Sequence, residues 1–225
     1  MPKHENVSMS VIRRLPRYYR FLSHLKAKGI TRISSTELSQ KLGLTASQIR
    51  QDLNCFGGFG QQGYGYIVSQ LCDEIGKILG LSGGYKTILL GAGNLGRAIA
   101  NHMAFEADGF ELTGVFDSDP DKIGEIIGGL PVHDVAELET FCRNTKPVMA
   151  VFCVPRGAAE QLGEILYGIG IRNFWNFSHY DISLQYPDAI VENVHLNDSL
   201  MTLCYRISND HTKKQADGTE TKKTN

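Results

Sequence analysis

The chain has 225 residues, 42% of them apolar and 21% charged, with a net charge of −1, which suits an ordinary globular protein of one large domain or two small ones. No run approaches the roughly 20 apolar residues of a membrane span and the N-terminus lacks the apolar core of a secretion signal, so the expected compartment is the cytoplasm. Five scattered cysteines (Cys55, Cys72, Cys142, Cys153, Cys204) form no C-x-x-C pair, which argues against a disulfide framework or a zinc site; most read as buried small hydrophobes.

The charge is unevenly placed. Residues 1 to 66 carry ten Lys/Arg against three Asp/Glu, and residues 67 to 225 carry thirteen against twenty-one. A basic first third and an acidic remainder imply different partners. A polyanion suits the first, although a solvated basic surface fits the same balance.

Residues 1 to 9 read as loosely held. Ile12, Leu15, Tyr19, Leu22 and Leu25 then recur at helical spacing up to Gly29, predicting one helix, or two meeting at Pro16, over residues 10 to 28. Its other face carries Arg13, Arg14, Arg17 and Arg20; Arg13 and Arg17 are candidate phosphate contacts. Ser34-Ser35-Thr36-Glu37 and Thr45-Ala46-Ser47-Gln48 are two capping boxes that open short helices on either side of Gly43-Leu44. That spacing fits a helix-turn-helix whose second helix would turn Thr45, Ser47, Gln48, Arg50 and Gln51 toward DNA; a plain αα-hairpin fits it too. The glycine and aromatic segment from Cys55 to Tyr66 predicts a hairpin with Gln61 and Gln62 at its tip and Tyr64 beside it, a wing if the helix-turn-helix is real and a surface loop otherwise. Ile67, Leu71, Ile75 and Leu79 mark a connecting helix, and Gly80 to Gly84 a hinge.

The apolar run Thr87-Ile88-Leu89-Leu90 leads into Gly91-Ala92-Gly93-Asn94-Leu95-Gly96 and then a helix pattern through Ala98, Ile99, His102 and Met103. Strand, glycine turn and helix N-terminus together offer a seat for a pyrophosphate. Asp117 ends the next apolar segment, 21 residues after Gly96, where an acid can hold ribose hydroxyls, with Ser118 beside it. Strands expected at 110–117, 147–154, 171–177 and 189–194 alternate with helices near 134–143 and at 157–168, which predicts a parallel sheet covered on both faces. Val154 and Pro155, at the end of one strand, are candidates to line the cofactor crevice. Leu196, Leu200, Leu203 and Ile207 form a stripe on a last helix that needs a partner surface, its own domain or a second subunit. The polar residues from Asn209 predict a disordered tail.

Gln48-Ile49-Arg50-Gln51-Asp52-Leu53-Asn54-Cys55-Phe56-Gly57, Gly63-Tyr64-Gly65-Tyr66, the Gly91 to Gly96 turn, Phe116-Asp117, Val154-Pro155, Asn176-Phe177 and Val191-Glu192-Asn193-Val194 resemble the Rex family of redox-sensing transcriptional repressors. The resemblance implies a winged helix-turn-helix domain over 1–82, a Rossmann-like NAD(H)-binding domain over 83–194, an exchanged helix over 195–208 and a tail over 209–225. It further implies a homodimer that holds inverted-repeat operator DNA when NAD+ prevails and releases it when NADH binds, with no catalysis. This chain departs from the family pattern at Gln51, where lysine is usual. It departs again at His102 and His195, which stand near a tyrosine and an aspartate that other members link to an arginine matching Arg20; these two residues are expected at the nicotinamide end, with a shifted or pH-dependent set-point. Two other readings fit the glycine turn: a dehydrogenase, for which little chain is left to build a substrate domain, and a nucleotide- or CoA-binding interaction protein.

Overall fold

The computed structural model describes residues 7–61 and 64–220. The chain divides into two compact units at Gly84 and Tyr85, with the loop Ala107–Gly109 belonging to the first.

In the first unit two helices, α1 (Met9–Ile12) and α2 (Leu15–Ala27), occupy the arginine-rich stretch. Pro16 sits in the first turn of α2, where its missing N–H leaves no bond unmade, and Gly29, at φ 72°, follows the helix end. Next come β1 (Arg32–Ile33), α3 (Ser35–Leu42), α4 (Ala46–Asn54), β2 (Gly60–Gln61), β3 (Gly65–Ile67) and α5 (Val68–Leu79). The strands pair antiparallel in the order β1-β3-β2. Gly65, at φ 70°, lies so close to β1 that a Cβ would stand 2.6 Å from the Ile33 carbonyl oxygen. The hairpin expected from the glycine and aromatic segment is thus present; Gln62 and Gly63 at its tip lie outside the described residues.

Helices of eight and nine residues, as α3 and α4 are, do not persist alone. They are held by a shared core in which Leu15, Tyr18 and Leu22 of α2 meet Leu38, Ile49, Leu53 and Ile75. Each such fully buried side chain contributes about 2 kcal/mol. The helix expected as a connector, α5, is part of this core through Val68, Leu71, Cys72 and Ile75.

The second unit runs β4 (Tyr85–Leu90), α6 (Asn94–His102), β5 (Phe110–Asp117), β6 (Ile126–Ile127), β7 (Leu130–Asp134), a 3-10 turn, α7 (Leu138–Thr145), β8 (Met149–Phe152), α8 (Arg156–Gly168), β9 (Asn173–Asn176), α9 (Ile182–Gln185), β10 (Ile190–Asn193) and α10 (Leu196–Glu220). The sheet order is β10-β9-β8-β4-β5-β7-β6, all parallel except the β6–β7 pair. Ile88, Leu89 and Leu90 of β4 are fully buried at its centre. One face is covered by α7 and α8 through Leu138, Cys142, Leu162 and Leu166, the other by α6 through Ile99 and Ala100. This is the doubly covered parallel sheet that the alternation predicts, with one addition: β6 and β7, whose Gly128-Gly129 turn and Pro131 disguise a short edge ribbon.

At the C-terminal end the last helix is longer than its apolar stripe. The backbone of α10 continues to Glu220, past Asn209, where the composition predicts a disordered tail. Lys213, Lys214, Gln215 and Ala216 are good helix formers, so polarity alone does not end a helix already begun. The apolar stripe is also uncovered: every described side chain from His195 to Asp210 is exposed, Leu196 at 66% and Leu200 at 64%.

Candidate nucleotide site and nucleic-acid interface

Sheet order reverses at β4, since β5 lies on one side of it and β8 on the other; in open parallel sheets ligands bind outside the strand carboxyl ends at such a switch. The glycine turn sits there. Gly91 adopts φ 98°, donates its N–H to the Phe116 carbonyl at 2.7 Å, and would place a Cβ 2.5 Å from the Cys153 carbonyl oxygen. Gly96 packs still closer, its notional Cβ 1.8 Å from the Gly91 carbonyl oxygen. Gly93 differs from both. Its φ of −75° suits any residue and a Cβ there would meet nothing within 4 Å. Neither backbone strain nor packing calls for glycine at that position, where it leaves bare backbone facing open space. The amides of Asn94, Leu95 and Gly96 precede the first intrahelical bond of α6, which Arg97 donates to Gly93, and so they carry the helix's positive end toward that space.

Asp117, at the end of β5, is buried beneath the turn. Its carboxylate accepts the Ala92 N–H at 2.7 Å and the Asp119 N–H at 2.9 Å, and the Lys122 ammonium lies 3.4 Å away. A carboxylate has about four lone-pair positions, so these partners leave room for a ribose hydroxyl. Around them opens a cavity of about 270 Å3 lined by Gly91, Gly93, Phe116, Asp117, Ser118, Lys122, Val135, Cys153, Val154, Pro155, Ala158, Gln161 and Leu162. It lies just below the roughly 300 Å3 at which small-molecule sites begin, room for one nucleoside half of a dinucleotide. Burial pushes the Cys153 thiol up to about 12, which leaves it uncharged and unreactive.

Of the residues expected at the cofactor, Gly91, Gly93, Asp117, Ser118, Val154 and Pro155 line this cavity, while Ala92, Asn94, Leu95 and Gly96 complete the turn. Two do not join them. His102 is exposed in the last turn of α6, and His195 lies before α10 with its ring parallel to that of His179, 6.1 Å between centroids. Lys122 and Gln161 went unnoticed in the sequence. Lys122 had a signal, standing five residues after the acid; Gln161 had only its place in the first turns of the helix expected after Pro155.

In the first unit, the Ser34–Glu37 capping box forms in both directions. The second box forms only halfway: Thr45 accepts the Gln48 N–H at 3.1 Å, but the Gln48 amide donates to Asp52 at 2.8 Å rather than returning to the cap. Asp52, 1% exposed, is the hub that the sequence did not reveal. Arg14 donates to both its oxygens at 2.7 Å and the Tyr18 hydroxyl to one at 2.6 Å. Arg14 therefore leaves the basic face to tie α2 onto α4. Burial pushes the Asp52 carboxyl up, but the bonds from Arg14, Tyr18 and Gln48 outweigh it and hold the group below the usual carboxylate range. Thr45, Ser47, Arg50 and Gln51 are exposed along α4, with Arg50 donating to Ser35 at 3.1 Å. Arg13 and Arg17 are exposed on the neighbouring segment, Tyr64 is 69% exposed beside the hairpin, and the Gln61 backbone belongs to β2.

Comparison with known proteins matches residues 6–54 to the family described as "Putative DNA-binding protein N-terminus" and residues 83–180 to "CoA binding domain". The "Redox-sensing transcriptional repressor Rex" of Thermoanaerobacter pseudethanolicus (strain ATCC 33223 / 39E) is 50% identical over 218 residues, covering 97% of each chain. The chain belongs to the Rex family. A Rex of Clostridium perfringens (strain SM101 / Type A) is 48% identical over 95% of this chain and 100% of its own. Two solved structures match this Rex-family chain over 94% of its length: "RSP in complex with beta-NAD+ and operator DNA" (50% identity, 97% of that chain, TM-score 0.84) and "RSP in complex with beta-NADH" (47%, 99%, 0.85).

A pH test follows from the Asp52 hub. Because its carboxyl is lowered in the fold, it adds stability above about pH 4 that is lost as acid protonates it. Asp52→Asn should destabilise the first unit by about 2 kcal/mol at pH 7, since Arg14 loses its anion. In thermal unfolding followed from pH 7 to 3, the gap between variant and wild type should narrow as the pH falls; a constant gap would count against the assignment.

Proposed function

We propose that this chain is a transcriptional repressor that reads the NADH/NAD+ ratio, holding inverted-repeat operator DNA with its winged helix-turn-helix and releasing it when NADH occupies the second unit. The observation that carries this reading is one chain joining an exposed Thr45, Ser47, Arg50 and Gln51 edge to a dinucleotide turn whose Gly93 faces open space. Arg50 and Gln51 reach base edges, Arg13 and Arg17 reach phosphates, and Gln61, Gln62 and Tyr64 form the wing contact. Gln48, held by Asp52, orients the reading helix more than it reads. Gln51 offers an amide suited to adenine.

The uncovered stripe of α10 supports a homodimer in which this helix packs on a second copy, and two heads on a two-fold axis match a palindromic site. Such a protein works in the cytoplasm. Among the described residues no helix is long and apolar enough to cross a membrane. The dehydrogenase reading lacks support, since the relatives carry the name of repressors, and the CoA reading is weaker than a dinucleotide one because Asp117 stands where a ribose diol is held.

Retention of an inverted-repeat duplex tests the proposal. Affinity should fall by about a thousandfold between 50 and 200 mM salt if some six phosphates are contacted. Gly93→Val should abolish the NADH response and keep operator binding; Arg50→Ala should cost at least about tenfold in operator affinity and keep nucleotide binding. Loss of both functions in each variant would contradict the division of labour.

A further inference from the structure

Three charged groups crowd the ribose corner of the cavity: Asp117, Asp119 and Lys122. We propose that Asp119 decides which class of dinucleotide this site accepts, by holding the Lys122 ammonium away from a 2′-phosphate. The inference rests on the dinucleotide reading above and sharpens it to nucleotides with an unphosphorylated adenosine ribose.

The segment Asp117 to Lys122 is folded on its own side chains. Asp117 accepts the Asp119 N–H at 2.9 Å, Asp119 accepts the Asp121 N–H at 3.1 Å, and the Lys122 N–H bonds the Asp119 carbonyl at 3.0 Å. This winding brings the Lys122 ammonium to 3.4 Å from Asp117 and 3.1 Å from Asp119. A cation beside the ribose-binding acid is what dinucleotide folds use to welcome a 2′-phosphate. Here the cation is in place and lines the cavity, but two carboxylates already claim it. The cluster has one positive and two negative charges, so a phosphate dianion meets net repulsion and a lysine already shared between two carboxylates.

Asp117 is not the adjustable member, because the Ala92 N–H of the glycine turn depends on it. Asp119 is. Its side chain is 42% exposed and meets the Asp121 N–H and the Lys122 ammonium, while its bond to Asp117 is made by the backbone N–H and does not depend on the side chain. An asparagine at that position can still accept the Asp121 N–H while withdrawing one negative charge and releasing the ammonium.

The test titrates the full-length chain with NADH and with NADPH, following the nicotinamide fluorescence common to both. Wild type should favour NADH. Asp119→Asn should strengthen NADPH binding by about tenfold, the scale of one unit charge removed at a partly exposed site, with NADH affinity changed less than about threefold. Adding Lys122→Met should erase the gain. Asp119→Ser, which also preserves the turn bond, is the second variant should the first fold poorly, and retained NADH binding reports folding in each. An unchanged NADPH to NADH affinity ratio in both variants, with NADH binding intact, overturns the inference. Failure of the wild-type chain to bind NADH overturns the functional reading on which it rests.

Discussion

The crossing of Gly96 over the Gly91 carbonyl sets the geometry of the whole nucleotide unit. A side chain at either place would enter backbone, at 1.8 Å in one case and 2.5 Å in the other, so the first helix of the unit lies on its strand only because both residues are glycine. The consequence reaches the ligand. Seated this low, α6 points its first amides over the carboxyl ends of β4 and β8, and the space left above Gly93 is the part of the turn that packing does not use. Asp117 closes the arrangement from below: its bond to the Ala92 N–H joins the turn to β5, so the group that would hold a ribose also holds the loop that would hold a phosphate.

The reading head follows the same economy. Asp52 is buried at the back of α4 and takes four hydrogen bonds from Arg14, Tyr18 and Gln48, so the face turned to solvent is free to be polar. A buried charge with partners on two helices is costly to break from either side, which fixes the angle of α4 against α2. The basic surface of the head is therefore not a uniform film of charge: one of its arginines works inward.

Much of this was legible in the residues. Continuous apolar runs pointed to β4, β5 and β8, as strands buried on both faces require, Gly29 and Gly43 marked helix ends, and the Gly91 to Gly96 spacing with Asp117 pointed to the crevice. Partners across long separations were not legible. Nothing near Asp52 announces Arg14, which lies 38 residues away, and Thr45 to Gln48 reads as a capping box until Asp52 claims the glutamine. The β6–β7 ribbon hid behind Gly128-Gly129 and Pro131 because two short strands show too few residues for a period. The length of α10 is hard to read from composition, because polarity tells of solvent exposure, not of helix propensity. His102 and His195 were placed at the nicotinamide by resemblance, and the cavity around Asp117 does not include them.

Taken together, a head fixed by an internal ion pair, a nucleotide crevice and a helix with an uncovered apolar stripe, in a chain of the Rex family, fit a protein in which nucleotide is a signal. The most direct test keeps total nucleotide constant while varying the NADH fraction, with the anisotropy of a labelled inverted-repeat duplex reporting occupancy by the full-length chain. Occupancy should fall as the NADH fraction rises and recover when NAD+ is restored. Occupancy indifferent to that fraction, with the duplex still bound in a salt-dependent way, would contradict the account.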